Sequence, residues 1–140
     1  MSRRTSREFA LQGLFQIDVV QADVQEAINH VLEQEGAEVD PGFVRELVEG
    51  TIRNVQQIDE LLTRHTTGWD ITRMANVDRN VLRMAVYEMI HHPDTPASVV
   101  INEAIDMAKG FSTPESGKFV NGVLAKILPE LDSLRTNAAR

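Results

Sequence analysis

Three arginines fall within the first seven residues, Arg3, Arg4 and Arg7, and no lysine or arginine follows until Arg45. Guanidinium groups are always charged and present their donors as a planar fork, so three of them in so short a stretch suit a polyanion. Residues 1–8 carry a net charge of +2, whereas residues 9–44 hold Asp18, Asp23, Glu26, Glu33, Glu35, Glu38 and Asp40 against no base. The acidic total, −7 over 140 residues, argues against non-specific coating of nucleic acid. A compact basic end beside an acidic body argues instead for one localised polyanion contact, with a solvated, solubilising tail as the alternative.

The other groups capable of chemistry do not assemble into a catalytic pattern. The eight glycines are scattered singly, so no Gly-rich phosphate cradle is present. His91 and His92 are adjacent, which sends them to different sides of a helix end without a partner at the i+4 spacing of facing metal ligands. Their expected role is that of C-terminal residues favoured by the helix dipole. Asn102 and Asp106 share a face next to Glu103, a polar stripe that lacks the nucleophile, metal or apolar cleft needed to tune a carboxylate. Trp69 reads as a packing anchor at a helix-loop junction, or as part of a partner surface. The absence of cysteine excludes disulfides, thiolate metal sites and a cysteine nucleophile, and fits a reducing compartment. No apolar run approaches a membrane span, and the basic start leads into an amphipathic segment rather than a signal peptide. A cytoplasmic protein without metal or cofactor is expected, with residues 1–130 as a single all-helical domain and 131–140 as a C-terminal tail, frayed from Arg135.

Periodicity supplies helices to position these residues and no convincing strand. Thr5 and Glu8 stand at capping-box spacing before Phe9, Leu11, Leu14, Phe15, Ile17 and Val20, which surround most of a helix axis. This predicts a first helix, packed from several sides, starting at Thr5 or slightly earlier and running to Val20. Asp23 opens a second helix whose end signal is Gly36, and Asp40-Pro41 opens a third that carries Phe43, Val44, Leu47, Val48, Thr51, Ile52 and Val55. Ile58 to His65 either continues that phase or forms a short fourth helix, with a break at Gly68. Val77 to Ile90 has a broad apolar arc and reads as central; Leu82 lies in it. A helix from Val99 or Val100 to Lys109 ends at Gly110. Ser112 and Glu115 bracket Thr113-Pro114 as a capping box for a last helix, with Phe119, Val120, Val123, Leu124, Ile127 and Leu128 inward until Pro129. The total is six or seven helices.

Several stretches together are similar to the NusB family of bacterial transcription antitermination factors. They are Arg3-Arg4 with Arg7-Glu8, Ala10-Leu11-Gln12 and Leu14-Phe15; Val81 to Glu88; Ile101 to Lys109 with Phe111; and Lys118 to Leu124. The resemblance runs from about residue 3 to 128. It implies an all-helical fold of two three-helix bundles packed on a shared core, working without catalysis as an RNA-binding adaptor. The implied partners are single-stranded boxA RNA, the small-subunit ribosomal protein that doubles as NusE, and the RNA polymerase antitermination complex on ribosomal RNA operons. It further implies RNA contacts from Arg3, Arg4, Arg7, Phe15, Lys118 and Phe119, and a protein-partner contact at Asp78. The arginines suit phosphates and unpaired bases, while Phe15 and Phe119 stand on apolar faces and are better suited to core packing, and Asp78 is equally suited to a helix first turn. Where many relatives carry a tyrosine and a longer arginine run, this chain has Phe15 and Thr5, which keeps stacking and loses a hydroxyl contact. A change of all three arginines to Ala is expected to weaken RNA binding and leave stability almost intact. Two other readings remain: a helical homodimer that masks the first helix, and a module related to the N-terminal domain of ribosomal-RNA cytosine methyltransferases. The second would need a methyl-donor domain with a Gly-rich entrance, so a stand-alone factor is expected.

Overall fold

A computed structural model describes residues 3–34, 38–66 and 70–139, and these form helices and connecting turns. Gly36, Gly68 and Trp69, assigned above to two helix ends and a packing anchor, lie outside the described residues. The chain divides into two compact units, Met1–Arg53 and Asn54–Arg140.

The first unit holds α1 (Arg3–Phe15), α2 (Val24–Leu32) and α3 (Pro41–Arg53). Both later helices start where side chains satisfy orphaned backbone donors. Asp23 accepts from the N–H groups of Gln25 and Glu26, and Asp40 accepts from Phe43 N–H at 3.2 Å just before Pro41. The Asp40 N–H in turn donates to the buried Ser6 hydroxyl at 3.0 Å, which ties the start of α3 to α1. Phe9, Ala10 and Leu14 pack with Ala27, Ile28, Val31, Val44, Leu47 and Val48 in a core. Gly13 sits where α1 meets its neighbours, since a Cβ there would come 3.4 Å from Val48 Cγ2.

The first helix does not run to Val20 as an α-helix. Gln16–Val20 is wound as a π-helix, closed by Gln21 in the left-handed region at φ 64°. Each i→i+5 turn holds more residues than an α-turn, so the apolar stripe projected at 100° per residue misses the core from there on. Val19 and Val20 are accordingly exposed, Val20 by 67%, and Phe15, the last α-helical residue before the change, is exposed as well, where the periodicity placed Phe15 and Val20 in packing.

The second unit is organised around α5 (Asn76–His91), which packs against α4 (Val55–His65), α6 (Ala97–Phe111), α7 (Pro114–Ile127) and α8 (Leu131–Ala138). Asn54 interrupts the helical phase, so α4 is a helix of its own. Arg83 makes two 2.8 Å hydrogen bonds to the Asp59 carboxylate and so clamps α5 to α4. The Arg79 guanidinium gathers the turn before α5, donating to the carbonyls of Ile71 (3.3 Å) and Met74 (3.1 Å) and to Asn76 Oδ1 (2.7 Å). That turn is a 3₁₀ segment, Ile71–Arg73, capped by Asp70. The hydrogen bonds from Thr72, backbone first, hold the Asp70 carboxyl below its ordinary 3.8.

Two helix ends differ from the sequence reading. α6 continues through Gly110 to Phe111, and the cap of α7 is Thr113 rather than Ser112, its hydroxyl accepting from Ser116 N–H at 3.2 Å. A Cβ on Gly117 would fall 2.7 Å from Lys109 Cγ, so the absence of a side chain there lets α7 lie close against α6. The stretch from residue 131, read as a tail fraying at Arg135, is helical to Ala138. Leu131 is buried, and Arg135 Nε donates to the Met89 carbonyl at 2.9 Å, which anchors it to α5. His65 and Glu130 pair side chain to side chain at the other end of α4.

Candidate nucleic-acid interface

The first turn of α1 carries arginines and no acid, so the partial positive charge of the helix start and the guanidinium charges add in the same place. One helical turn separates Arg3 from Arg7, and both reach the Phe43 ring on α3, with Cζ at 4.0 Å and 5.5 Å from its centroid. Their exposure differs. Arg3 and Arg4 are open to solvent, whereas Arg7 is only 4% exposed. The three arginines thus divide into two at the surface and one built into the unit, which corrects the expectation that all three can be removed with stability almost intact.

Phe15 stands at the opposite end of α1, 37% exposed, where the winding changes. Eleven residues separate it from Arg4, which brings the two side chains to within roughly 20° of each other around the axis and about 16 Å apart along it. α1 therefore presents a cation and an open aromatic face along one edge, with half-buried Glu8 and Gln12 between them. A phosphate and an unpaired base have the chemistry of those two ends.

In the second unit Lys118 is exposed and its neighbour Phe119 half-buried, both on α7. Asp78, in the first turn of α5, is 8% exposed, and its Oδ1 is buried without a hydrogen-bond partner. An unsatisfied buried carboxylate oxygen is costly to a fold that makes no other use of it. A groove of about 480 Å³ lies over it, lined by Arg73, Met74, Ala75, Asp78, Thr113, Glu115, Ser116 and Phe119. Asp78 and Phe119, assigned by resemblance to a protein and to RNA, thus border one groove, while Lys118 is not part of its wall. Arg73, Thr113 and Ser116 in this wall, and Phe43 in the first unit, carried no signal in the sequence beyond a cap and a core position. His91 and His92 both contact Tyr87, the first stacked at 4.7 Å and the second edge-on at 5.8 Å, so the adjacent pair shares one aromatic neighbour. Among the described residues no helix is long and apolar enough to cross a membrane.

Comparison with known proteins gives the family and the fold. The model of the NusB family matches residues 4–129. The transcription antitermination protein NusB of Bacillus subtilis is 48% identical over 132 residues, covering 94% of this chain and 98% of that protein. Among solved structures, T. maritima NusB superposes with a TM-score of 0.86 at 36% identity, covering 93% of this chain and 92% of the other. A crystal structure of the antitermination factors NusB and NusE in complex with double-stranded RNA gives a TM-score of 0.82 at 28% identity, covering 89% and 94%.

Proposed function

This chain belongs to the NusB family, and on that premise we propose that it is a transcription antitermination factor that binds RNA together with NusE. In its finer form, the pair holds the single-stranded boxA element of nascent RNA and supports processive transcription of ribosomal RNA operons. The activity is binding, and no side chain is assigned a catalytic step.

The observation that carries the reading is the open edge of α1. Arg3 and Arg4 are exposed at a helix start in an otherwise acidic chain, and Phe15 is exposed on the Arg4 side. Arg3 and Arg4 contact phosphates, Phe15 stacks on a base, and Arg7 supports the patch from within the unit. Lys118 adds charge and Phe119 an aromatic edge from α7. Asp78, in the wall of the groove that Phe119 also lines, is the contact assigned to NusE. The occurrence of NusB and NusE together with RNA in a solved relative supports the pairing of both partners.

Titration of labelled boxA RNA and a scrambled control, with and without NusE, at two salt concentrations tests the reading. Neutralising about three phosphates on a single strand gives an affinity loss of roughly tenfold to thirtyfold between 50 and 200 mM salt. Binding should be tighter with NusE and weaker for the scrambled RNA. Equal affinity for both RNAs, with and without NusE, would overturn the proposal.

A further inference from the structure

We propose that Phe43 is a positioning residue for RNA, holding the Arg3 guanidinium over its ring so that its donors are already aimed at a phosphate when the strand arrives. The inference rests on the RNA-binding reading above and names a residue which that reading does not use.

Phe43 is on α3, forty positions along the chain from Arg3, and is only 7% exposed. Its ring is immobilised by that burial and by the start of α3, where Asp40 caps the helix and its N–H is held by Ser6. Arg3, by contrast, is exposed and lies in the first turn of α1, where a long side chain would ordinarily sample many rotamers. Its Cζ nevertheless lies 4.0 Å from the Phe43 centroid, which is contact distance for a cation over an aromatic face. A guanidinium stacked on a ring directs its N–H groups outward in its own plane, where they remain available to a phosphate. The ring therefore fixes the charge without consuming its donors. Arg7, whose Cζ lies 5.5 Å from the same centroid, supports the arrangement from the buried side. Ordering this side chain before binding removes part of the entropic cost that a free arginine would meet on the RNA.

A double-mutant cycle in boxA affinity, measured on the full chain with NusE, tests this. Phe43→Leu keeps an apolar side chain and removes the aromatic face, and is expected to weaken binding about fivefold, the upper range for an exposed cation–π contact. Phe43→Tyr restores the face and is expected to stay within about twofold of the parent. In an Arg3→Gln background, Phe43→Leu should change affinity by less than about twofold, because the cation it positions is gone. A trifluorinated phenylalanine at position 43 keeps the shape and drains the ring face of charge, so it must weaken binding in the same direction whatever Leu does to stability. The Arg3 Nε–H resonance gives a readout independent of RNA: it should be shifted upfield by the ring in the parent and return to the ordinary position in Phe43→Leu. An equal loss from Phe43→Leu in both backgrounds, or an unshifted Arg3 resonance, overturns the role of Phe43 and leaves RNA binding standing. No boxA binding by the unaltered chain with NusE overturns both.

Discussion

α1 and α5 are both richly apolar in sequence, the first around most of its axis and the second over a broad arc, and they have opposite fates. Eleven of the sixteen residues of α5 are buried, including Glu88 and the pair Arg79 and Asn80, whose side chains donate to backbone carbonyls of the second unit. α1 buries seven of thirteen and leaves both ends open, arginines at one and Phe15 at the other. A central helix uses its polar residues to close the structure around it. An edge helix can spend them on a ligand, and the difference is made by what packs against each end.

Leu82→Ala offers the largest break in that comparison. Leu82 is fully buried in α5, and truncation is expected to cost about 2 to 5 kcal/mol in chemical denaturation. A loss well under 1 kcal/mol would mean that α5 is not the centre of its unit. On α1 the contrast is sharpened by separating the arginines. Arg3→Ala with Arg4→Ala should lower boxA affinity at least about tenfold while shifting stability by no more than about 1 kcal/mol, the upper range for the exposed cation–π contact that Arg3 makes with Phe43. Arg7→Ala should lower the thermal midpoint measurably, because it removes a buried side chain packed against Phe43. If Arg7→Ala melts like the parent, the division between surface and built-in arginines fails.

The smallest effect is at the turn that leads into α5. The folded Asp70 carboxyl lies below its ordinary 3.8 because it accepts hydrogen bonds from Thr72, so its cap contributes fully above that value. The contribution is lost as pH falls through the lowered folded value. The difference in thermal midpoint between the parent and Asp70→Ala should therefore be constant near neutrality and shrink as the pH drops below about 4. A difference that is unchanged at pH 2 would show that the charge of Asp70 has no part in the cap.

The amino-acid sequence alone determined the helical class, the caps at Asp23 and Asp40, the centrality of Leu82 and its neighbours, and the arginine cluster. These depend on residues within a turn or two of one another, through backbone donors that a nearby side chain satisfies and a period that repeats every few positions. Only the tertiary structure decided that Arg7 is buried while Arg3 and Arg4 are not, that Phe43 takes up two guanidinium groups, and that the orphaned oxygen of Asp78 shares a groove with Phe119. Phe15 and Val20 belong with these: Phe15 is exposed at the last α-helical position of α1, and the π winding beyond it carries Val20 outward. Each of them rests on contacts between segments some forty residues apart, or on a local departure from α-geometry, and no spacing along the chain encodes the angle at which one helix meets another.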